Sequence, residues 1–244
     1  MVHEPLTEEQ RTQHQMLFWR TMAEIVSIQS PALHLSQLRQ AFINSYFSMG
    51  IINSNRQHFN MFYWMAPQSP AMDAARDAFC MIHLGSRHRD QQLITAGLLR
   101  HVAAIRWLRG DIGKPTALTD DSVLGAAYTL GQTEIFTAVS HGGQGWQQHM
   151  DGVYDIFQRR GPDSMTSPFA EALLQNTRPL AVMHGLLKRR STFFSSPSWI
   201  AVANKTPTLA TKLTNLALKI APLLRKADDL HVSKRPKQAH TVHS

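Results

Sequence analysis

A stretch near the middle of the chain, WQQHMDGVYDIFQRRGP (residues 146–162), has the pattern of a helix with one apolar and one polar face. The residues of the inner face recur at three- and four-residue steps: Trp146, His149, Gly152, Val153, Ile156 and Phe157. Gly161 favours a helix end because it adopts left-handed conformations without strain, and Pro162 prevents continuation. The stretch therefore predicts a helix packed through one face, on which Gly152 would let a neighbouring helix approach closely.

The rest of the chain shows the same helical spacing, with capping residues, and no clear period-two strand pattern. The predicted helices run over residues 7–30, 33–49, 71–84, 91–108, 119–139, 146–160, 169–187 and 209–224. Arg109-Gly110-Asp111 is predicted to end the helix before it, and Pro222 to kink the last one. The aromatic run 59–65 is compatible with a short buried helix or a strand. The predicted fold class is all-α, a multi-helix array of packed antiparallel helices.

The domain organisation follows from composition. Residues 1–225 are predicted to form one all-helical domain, with a disordered basic tail over residues 226–244, which cannot bury apolar surface. Residues 164–244 hold 12 Lys and Arg against 3 Asp and Glu, so the net charge of +8 resides in the last third. A nucleic-acid partner, a solubilising tail and a nuclear import signal explain such an excess equally well.

Cysteine count and hydropathy exclude several classes of protein. The single cysteine, Cys80, rules out a disulfide framework or a cysteine zinc cluster within these 244 residues, and is expected to be a buried thiol. No apolar run is long enough for a transmembrane helix, and the acidic N-terminus lacks the layout of a secretory signal. The sequence thus predicts a soluble intracellular protein with no membrane partner.

The search for catalytic chemistry predicts no catalytic, cofactor-binding or metal-binding residue. There is no phosphate-binding glycine loop and no nucleophile elbow. The cluster His83, Arg87, His88, Arg89 and Asp90 lacks the spacing of zinc ligands on a helix and is interpreted as a solvated loop. The thirteen histidines scatter, and none is paired with an acid at a suggestive spacing. His149 is open to two interpretations, a ligand contact between helices or a packed residue bonded to a backbone carbonyl.

The 146–162 stretch resembles the fungus-specific transcription factor regulatory domain, the module that usually follows a fungal zinc binuclear cluster DNA-binding domain. In that family a Trp, a His, a Gly and a terminal Arg-Gly-Pro recur after a glycine-containing loop. The corresponding residues here are Trp146, His149, Gly152, Arg160, Gly161 and Pro162. The helices predicted at residues 74–84 and 119–136 also resemble those of the family, and the resemblance covers roughly residues 70–200.

The resemblance implies a regulatory rather than an enzymatic role. It implies a nuclear protein that acts through other transcription factors, coregulators, a second copy of itself or a small effector, without a cofactor of its own. A zinc cluster needs six cysteines, so the expectation is that this chain lacks that domain and reaches DNA only indirectly. Lys234, Arg235 and Lys237 are candidates for nuclear import, with a solvated tail as the alternative. The competing hypothesis is an all-α small-molecule-binding protein or enzyme of fungal metabolism.

Overall fold

The computed structural model describes residues 31–47, 68–141, 144–205 and 207–233. Within these ranges every regular element is a helix and there is no strand, so the predicted all-α class is confirmed. The helices are α1 Pro31–Phe47, α2 Pro70–His88, α3 Gln91–Ile112, α4 Asp121–His141, α5 Gln144–Arg160, α6 Pro168–Lys188, α7 Pro197–Ala203, α8 Leu209–Ala217 and α9 Ile220–Ser233. Short 3-10 turns occupy Pro162–Ser164 and Phe193–Ser195. The helix predicted at residues 7–30, the aromatic run 59–65 and the import residues Lys234, Arg235 and Lys237 lie outside the described residues.

The chain divides into two compact units, Met1–Gly50 and Ile51–Ser244. The first unit contains α1, which was predicted over residues 33–49. Its buried side chains are Leu38, Phe42 and Ile43, which lie on one face of the helix. All the other described helices belong to the second unit.

α2 is the most deeply buried helix of the second unit. Almost every residue from Ala71 to Gly85 is buried, including Phe79 and Cys80. Its small alanines allow neighbouring helices to approach, and it packs against both α3 and α4. α4 packs in turn against α5 and α6, and α6 also contacts α7, α8 and α9. α4 therefore connects the first helices of the unit to the last ones.

Capping residues begin several of these helices. Ser69 accepts a hydrogen bond from the backbone N–H of Met72 at 3.1 Å, and Pro70 follows at the first helical position. The same contact, a side-chain oxygen accepting from a backbone N–H three residues on, begins three further helices, with the caps Asp90 of α3, Ser167 of α6 and Thr208 of α8. These short polar side chains satisfy donors that no helical carbonyl can reach.

Two helices extend further than predicted. α2 continues to His88, so His83, Arg87 and His88 are helical and not part of a loop, and His83 is buried. It ends where Arg89 takes a left-handed conformation with φ of 57°. α3 continues through Gly110 to Ile112, because an isolated glycine costs a helix only about 1 kcal/mol.

The helix predicted over residues 209–224 is two helices, separated at Leu218 and Lys219. Pro222 explains the position of the break, because it lacks the N–H that would bond Leu218 and its ring crowds that carbonyl. α9 then runs to Ser233, so the expected start of the tail at residue 226 falls inside this helix. Residues 234–244 lie outside the described part of the chain.

α6 holds the last helices through polar contacts. Arg178 is fully buried, and its Nη2 donates to the amide oxygen of Asn215 on α8. Burial lowers the pKa of this guanidinium to about 10. Gln175 donates to the carbonyl of Ala203, the last residue of α7, at 2.9 Å. This side of α6 therefore binds its neighbours by hydrogen bonds as much as by apolar packing.

Candidate functional site

The helix that the family motif predicts is present as α5, with the expected orientation. Trp146, Val153 and Phe157 are buried, and Met150 joins them on the same face. The polar residues of the other face are all exposed: Gln147, Gln148, Asp151, Asp155, Gln158 and Arg159. Two faces of one helix therefore separate packing from solvent, as the sequence pattern indicates.

Gly152 does not have the predicted role. It lies on the exposed side of α5, and a Cβ added there would have nothing within 4 Å. The close approach of α4 and α5 instead occurs at Gly131 of α4, where an added Cβ would lie 3.3 Å from the sulfur of Met150. The prediction failed because residues 149 and 153 already define the inner face, and position 152 lies at its edge.

The C-terminal end of α5 is fixed by a buried ion pair that the sequence did not reveal. Gly161 has the predicted positive φ, 74°, and turns the chain into the Pro162–Ser164 turn. Arg160, before it, reaches back to Asp121 at the start of α4, with Nη2 2.5 Å from Oδ1. Its side chain is only 2% exposed. The other carboxylate oxygen of Asp121 accepts from Ser167, the cap of α6. A single carboxylate therefore joins three helices.

The same end of α5 packs into an aromatic cluster. The rings of Phe157, Phe194 and Trp199 lie within 6.0 Å of one another, centroid to centroid, mostly edge to face. Tyr154 joins through Phe194 at 5.9 Å. These aromatic contacts seat α7 and the 3-10 turn before it against α5.

On the exposed side of α5 lies a groove of about 510 Å³. Its lining includes Asp151, Tyr154, Asp155 and Gln158 of α5, His184, Gly185 and Lys188 of α6, and the Arg190–Phe193 segment after it. Asp151 binds two of these groups, with Oδ1 3.1 Å from His184 Nε2 and Oδ2 3.1 Å from Lys188 Nζ. Burial and the Lys188 charge lower the pKa of His184, against the opposite pull of Asp151. Burial and Asp151 raise the pKa of Tyr154, so its hydroxyl stays protonated.

On the opposite side, α3, α4 and α5 bring together His101, Glu134 and His149. Oε1 of Glu134 lies 3.2 Å from Nε2 of His101 and 3.8 Å from Nε2 of His149. The two imidazole rings lie 6.0 Å apart at 77°. Each of the three residues offers one ligand atom, and all three atoms lie within 4.8 Å of one another. Among the described residues, this histidine cluster (His101, Glu134 and His149) is the one group whose spacing would suit a metal ion.

Burial favours the neutral form of both imidazoles of the histidine cluster. It lowers the pKa of His101, although Glu134 favours the charged form, and His149 adds to the lowering. Burial likewise lowers the pKa of His149 against Glu134. His149, the histidine of the family motif, therefore contacts a carboxylate, which neither interpretation of this residue predicts.

The sequence could not reveal either histidine contact. His101, Glu134 and His149 lie on three different helices, and His184 and Asp151 on two, so no spacing along the chain relates them. The one usable signal is the helix face: His101 and His149 each lie on the same face as the buried residues of their helix. A histidine on an inner face predicts a buried partner without identifying it.

Comparison with protein families settles the class of this helical array. A sequence profile of the fungal specific transcription factor domain matches residues 17–224. The chain belongs to this family. The match extends the likeness well beyond residues 70–200, in both directions. Among curated proteins and solved structures, none matches the chain.

Membership of the fungal specific transcription factor domain family gives the chain a role in the regulation of transcription. It is a family of transcription factor domains, which are not normally enzymes. Among the described residues, no helix is both long and apolar enough to cross a bilayer. α5 and the helices that pack against it are thus parts of a transcription factor domain.

Proposed function

We propose that this chain is the regulatory module of a nuclear transcription factor and that it works through contacts with protein partners. The observation that carries the proposal is the family match over residues 17–224, which takes in every described helix up to the first turn of α9. The exposed faces of the described helices are the surfaces that such a module offers to partners. In this proposal the chain regulates transcription through the partners that its surfaces bind.

DNA contact is indirect in this proposal. A zinc cluster would need more cysteines than the single Cys80 that these 244 residues contain. A gel-shift experiment with the isolated chain and genomic fragments should show only weak binding, without sequence preference, that salt abolishes. Tight, sequence-specific binding that survives physiological salt would contradict this part of the proposal.

The best-supported partner surface is a leucine seam along α8 and α9. Its large apolar residues succeed one another at steps of four and three residues, with Ala227 at the one small position. The seam consists of Leu209, Leu213, Leu216, Ile220, Leu223 and Leu230, each between 45% and 74% exposed. A repeat averaging 3.5 residues is the spacing through which helices pack side by side. The opposite side of these helices, with Thr211, Leu218 and Ala221, is buried.

A second copy of the chain is the occupant that the seam fits best. A two-fold interface pairs one surface with itself, so its charges must be complementary when the helix direction is reversed. Lys212 precedes the middle of the seam at Ile220 by eight residues, and Asp229 follows it by nine. Both are exposed, and antiparallel pairing would place each opposite the other on the second copy. A homodimer through α8 and α9 would therefore cover the apolar residues and pair Lys212 with Asp229.

Analytical ultracentrifugation of the full chain tests the dimer. We expect the wild type to dimerise and the double variant Leu213→Glu, Leu216→Glu to be monomeric, with its helix content unchanged. The matched control is Leu99→Glu with Val102→Glu, two residues 69% and 55% exposed on α3. A dimer that persists in the seam variant, or a wild type that stays monomeric, would disprove the self-association.

The regulatory role is tested separately in cells. The chain is fused to a DNA-binding domain of known operator, and a reporter gene is measured in a fungal host. We expect altered reporter output for the wild type and for the α3 control variant. If the fusion has no effect on transcription while it accumulates in the nucleus, the regulatory proposal is wrong even if the dimer exists.

Nuclear location is part of the proposal and rests on the basic segments. Lys188 and Arg189 are engaged with Asp151 and Asp228, so Lys234, Arg235 and Lys237 are the better import candidates. A fluorescent fusion should lose nuclear accumulation when these three become alanine. Unchanged accumulation would remove the assignment of the import signal to this segment.

The groove beside α5 favours a second candidate function, binding of a small effector or metabolite. Its volume lies in the range of ligand sites, and Asp151, His184 and Lys188 converge on it. A metabolite screen by thermal shift should then find ligands whose effect His184→Ala weakens. If the hits do not depend on His184, or no compound stabilises the chain, the groove is not an effector site.

A further inference from the structure

We propose that His101, Glu134 and His149 form a binding site for a divalent transition-metal ion of the zinc class. Two imidazoles and one carboxylate are a donor set that zinc accepts with further positions left open. The proposal concerns a site of this fold and does not depend on the dimer or on the effector groove. It assigns the histidine of α5 a chemical role in addition to packing.

The spacing of the donor atoms carries the proposal. Zinc binds nitrogen and oxygen at about 2.0 to 2.2 Å, which puts neighbouring tetrahedral ligands at roughly 3.3 to 3.5 Å. Glu134 Oε1 lies 3.2 Å from one imidazole nitrogen and 3.8 Å from the other. With all three donors within 4.8 Å of one another, side-chain movements of up to roughly 1.3 Å bring them to the spacing of a common ion.

The backbone around the site makes room for the carboxylate. A Cβ added at Gly145 would lie 2.7 Å from Glu134 Oε2, so the glycine lets that oxygen approach α5. The His101 side chain is buried, whereas those of Glu134 and His149 are 20% and 29% exposed. The buried ligand is thus fixed and the other two face solvent. Water, or a side chain of a partner, completes the coordination on that side.

The Asp151–His184 contact, in contrast to the histidine cluster, is not expected to bind a metal ion. It also joins a carboxylate to an imidazole, yet Lys188 Nζ lies 3.1 Å from the same carboxylate. A fixed ammonium already neutralises Asp151 and repels a second cation. The influences on the pKa of His101 and His149 are burial and the Glu134 carboxylate, with the His149 ring acting on His101 as well. His184 is therefore a natural control for histidine-dependent metal binding.

The affinity should be moderate. Metal-binding histidines usually donate their second N–H to an acceptor, and losing that bond weakens metal binding by about 10- to 100-fold. Nδ1 of His101 is buried without a hydrogen-bond acceptor. We therefore expect one site per chain that is clearly stronger than the scattered surface histidines, without the affinity of a structural zinc centre.

The test is calorimetric titration of the full chain, stripped with a chelator, with Zn²⁺. Co²⁺ absorption is the second readout, because it reports the ligand geometry. We expect one saturable site in the wild type, at least tenfold weaker in His149→Gln and in His101→Gln, and unchanged in His184→Gln. Zn²⁺ should raise the melting temperature of the wild type and of the control, and not that of the two ligand variants.

His149 is the more exposed of the two histidines, so His149→Gln keeps the test valid if the buried His101 variant fails to fold. His149→Cys adds a rescue, since a thiolate restores a zinc ligand and shifts the Co²⁺ spectrum. Equal binding by the wild type and His149→Gln would overturn the proposal. So would equal losses in His149→Gln and His184→Gln, because binding would then be adventitious at surface histidines only.

Discussion

α4 presents one carboxylate at each end of its contact with α5, and the two meet different partners. Asp121, in its first turn, holds the buried guanidinium of Arg160 and the hydroxyl of Ser167. Glu134, near its other end, faces the imidazoles of His101 and His149. The partners differ in what they can become. A guanidinium keeps its charge at every accessible pH, whereas an imidazole can be neutral, protonated or bound to a metal.

The two carboxylates therefore make two kinds of connection. The one at Asp121, the permanent end, keeps its charges, and the one at Glu134, the conditional end, depends on the state of its imidazole partners. At the Asp121 end, a fixed ion pair positions the end of α5 and the start of α6, and nothing in cellular conditions would alter it. At the Glu134 end, α4 and α5 are joined to α3 by groups whose state can change with protonation or metal binding. Stability should therefore depend most on the first end, and sensitivity to conditions on the second.

The largest expected effect is at the permanent end. Arg160→Met should lower the free energy of unfolding by about 3 to 5 kcal/mol, because it leaves a mostly buried carboxylate without its cation. The measurement is urea denaturation at pH 7. Arg159→Met is the control: that neighbour forms an exposed pair with Asp155, and its loss should cost less than about 0.5 kcal/mol. Equal losses in the two variants would show that the Asp121 connection is not a special one.

The next largest effect is on the pH dependence of stability and concerns His83, whose ring contacts α4. His83 of α2 packs its ring edge-on against Phe136, 5.0 Å away. Burial, assisted by the charges of Arg87 and His88, lowers the pKa of His83 to about 4. The unfolded chain, with an ordinary histidine pKa, takes up the proton first, so this stability is complete above about pH 6.5 and is lost as the pH falls toward 4.

Between pH 7 and pH 5 we therefore expect His83 to account for a loss of roughly 2 kcal/mol. Denaturation of the wild type and of His83→Met at both pH values gives the difference, independent of the packing that the substitution itself changes. The wild type should lose more than the variant over this interval. Parallel losses would mean that the ring is solvated well enough to titrate normally.

Replacing each of the two carboxylates by its amide should reduce stability less at Glu134 than at Asp121. Glu134→Gln should cost about 1 kcal/mol in the absence of metal, the value of an ordinary hydrogen bond, because its imidazole partners are neutral. Asp121→Asn is the reference and should cost several times more, since it leaves Arg160 buried without a counter-charge. A Glu134 variant as unstable as the Asp121 variant would remove the distinction between the two ends.

The smallest effect is a gain, midway along α5. Gly152→Ala should stabilise the chain by about 0.5 to 1 kcal/mol, because alanine favours a helix and the added Cβ meets nothing within 4 Å. A thermal melt at pH 7 measures it. A loss of stability would mean that Gly152 packs against a neighbour, as the sequence pattern alone suggested.

The sequence predicted those features that neighbouring residues determine. The starts of α2 and α6, predicted at residues 71 and 169, the turn at Gly161 and the faces of α5 follow from local residue preferences and helical periodicity. The sequence did not predict what tertiary packing decides. Arg160 and Asp121 lie 39 positions apart, and their pairing depends on the antiparallel arrangement of two helices. The continuation of α3 through Gly110 and the break before Pro222 required a comparison of small local energies with packing.

The way α6 holds α8 has a consequence for motion. Arg178 places a fully buried cation at that contact, and its hydrogen-bond partner is the amide oxygen of Asn215 and not a carboxylate. A charge removed from water and compensated only by a dipole weakens the attachment it makes. The segment from Leu209 onward should therefore open in local excursions that leave the α2–α6 packing intact. Occupation of the leucine seam by another helix would suppress those excursions, so that binding and ordering of the segment become one event.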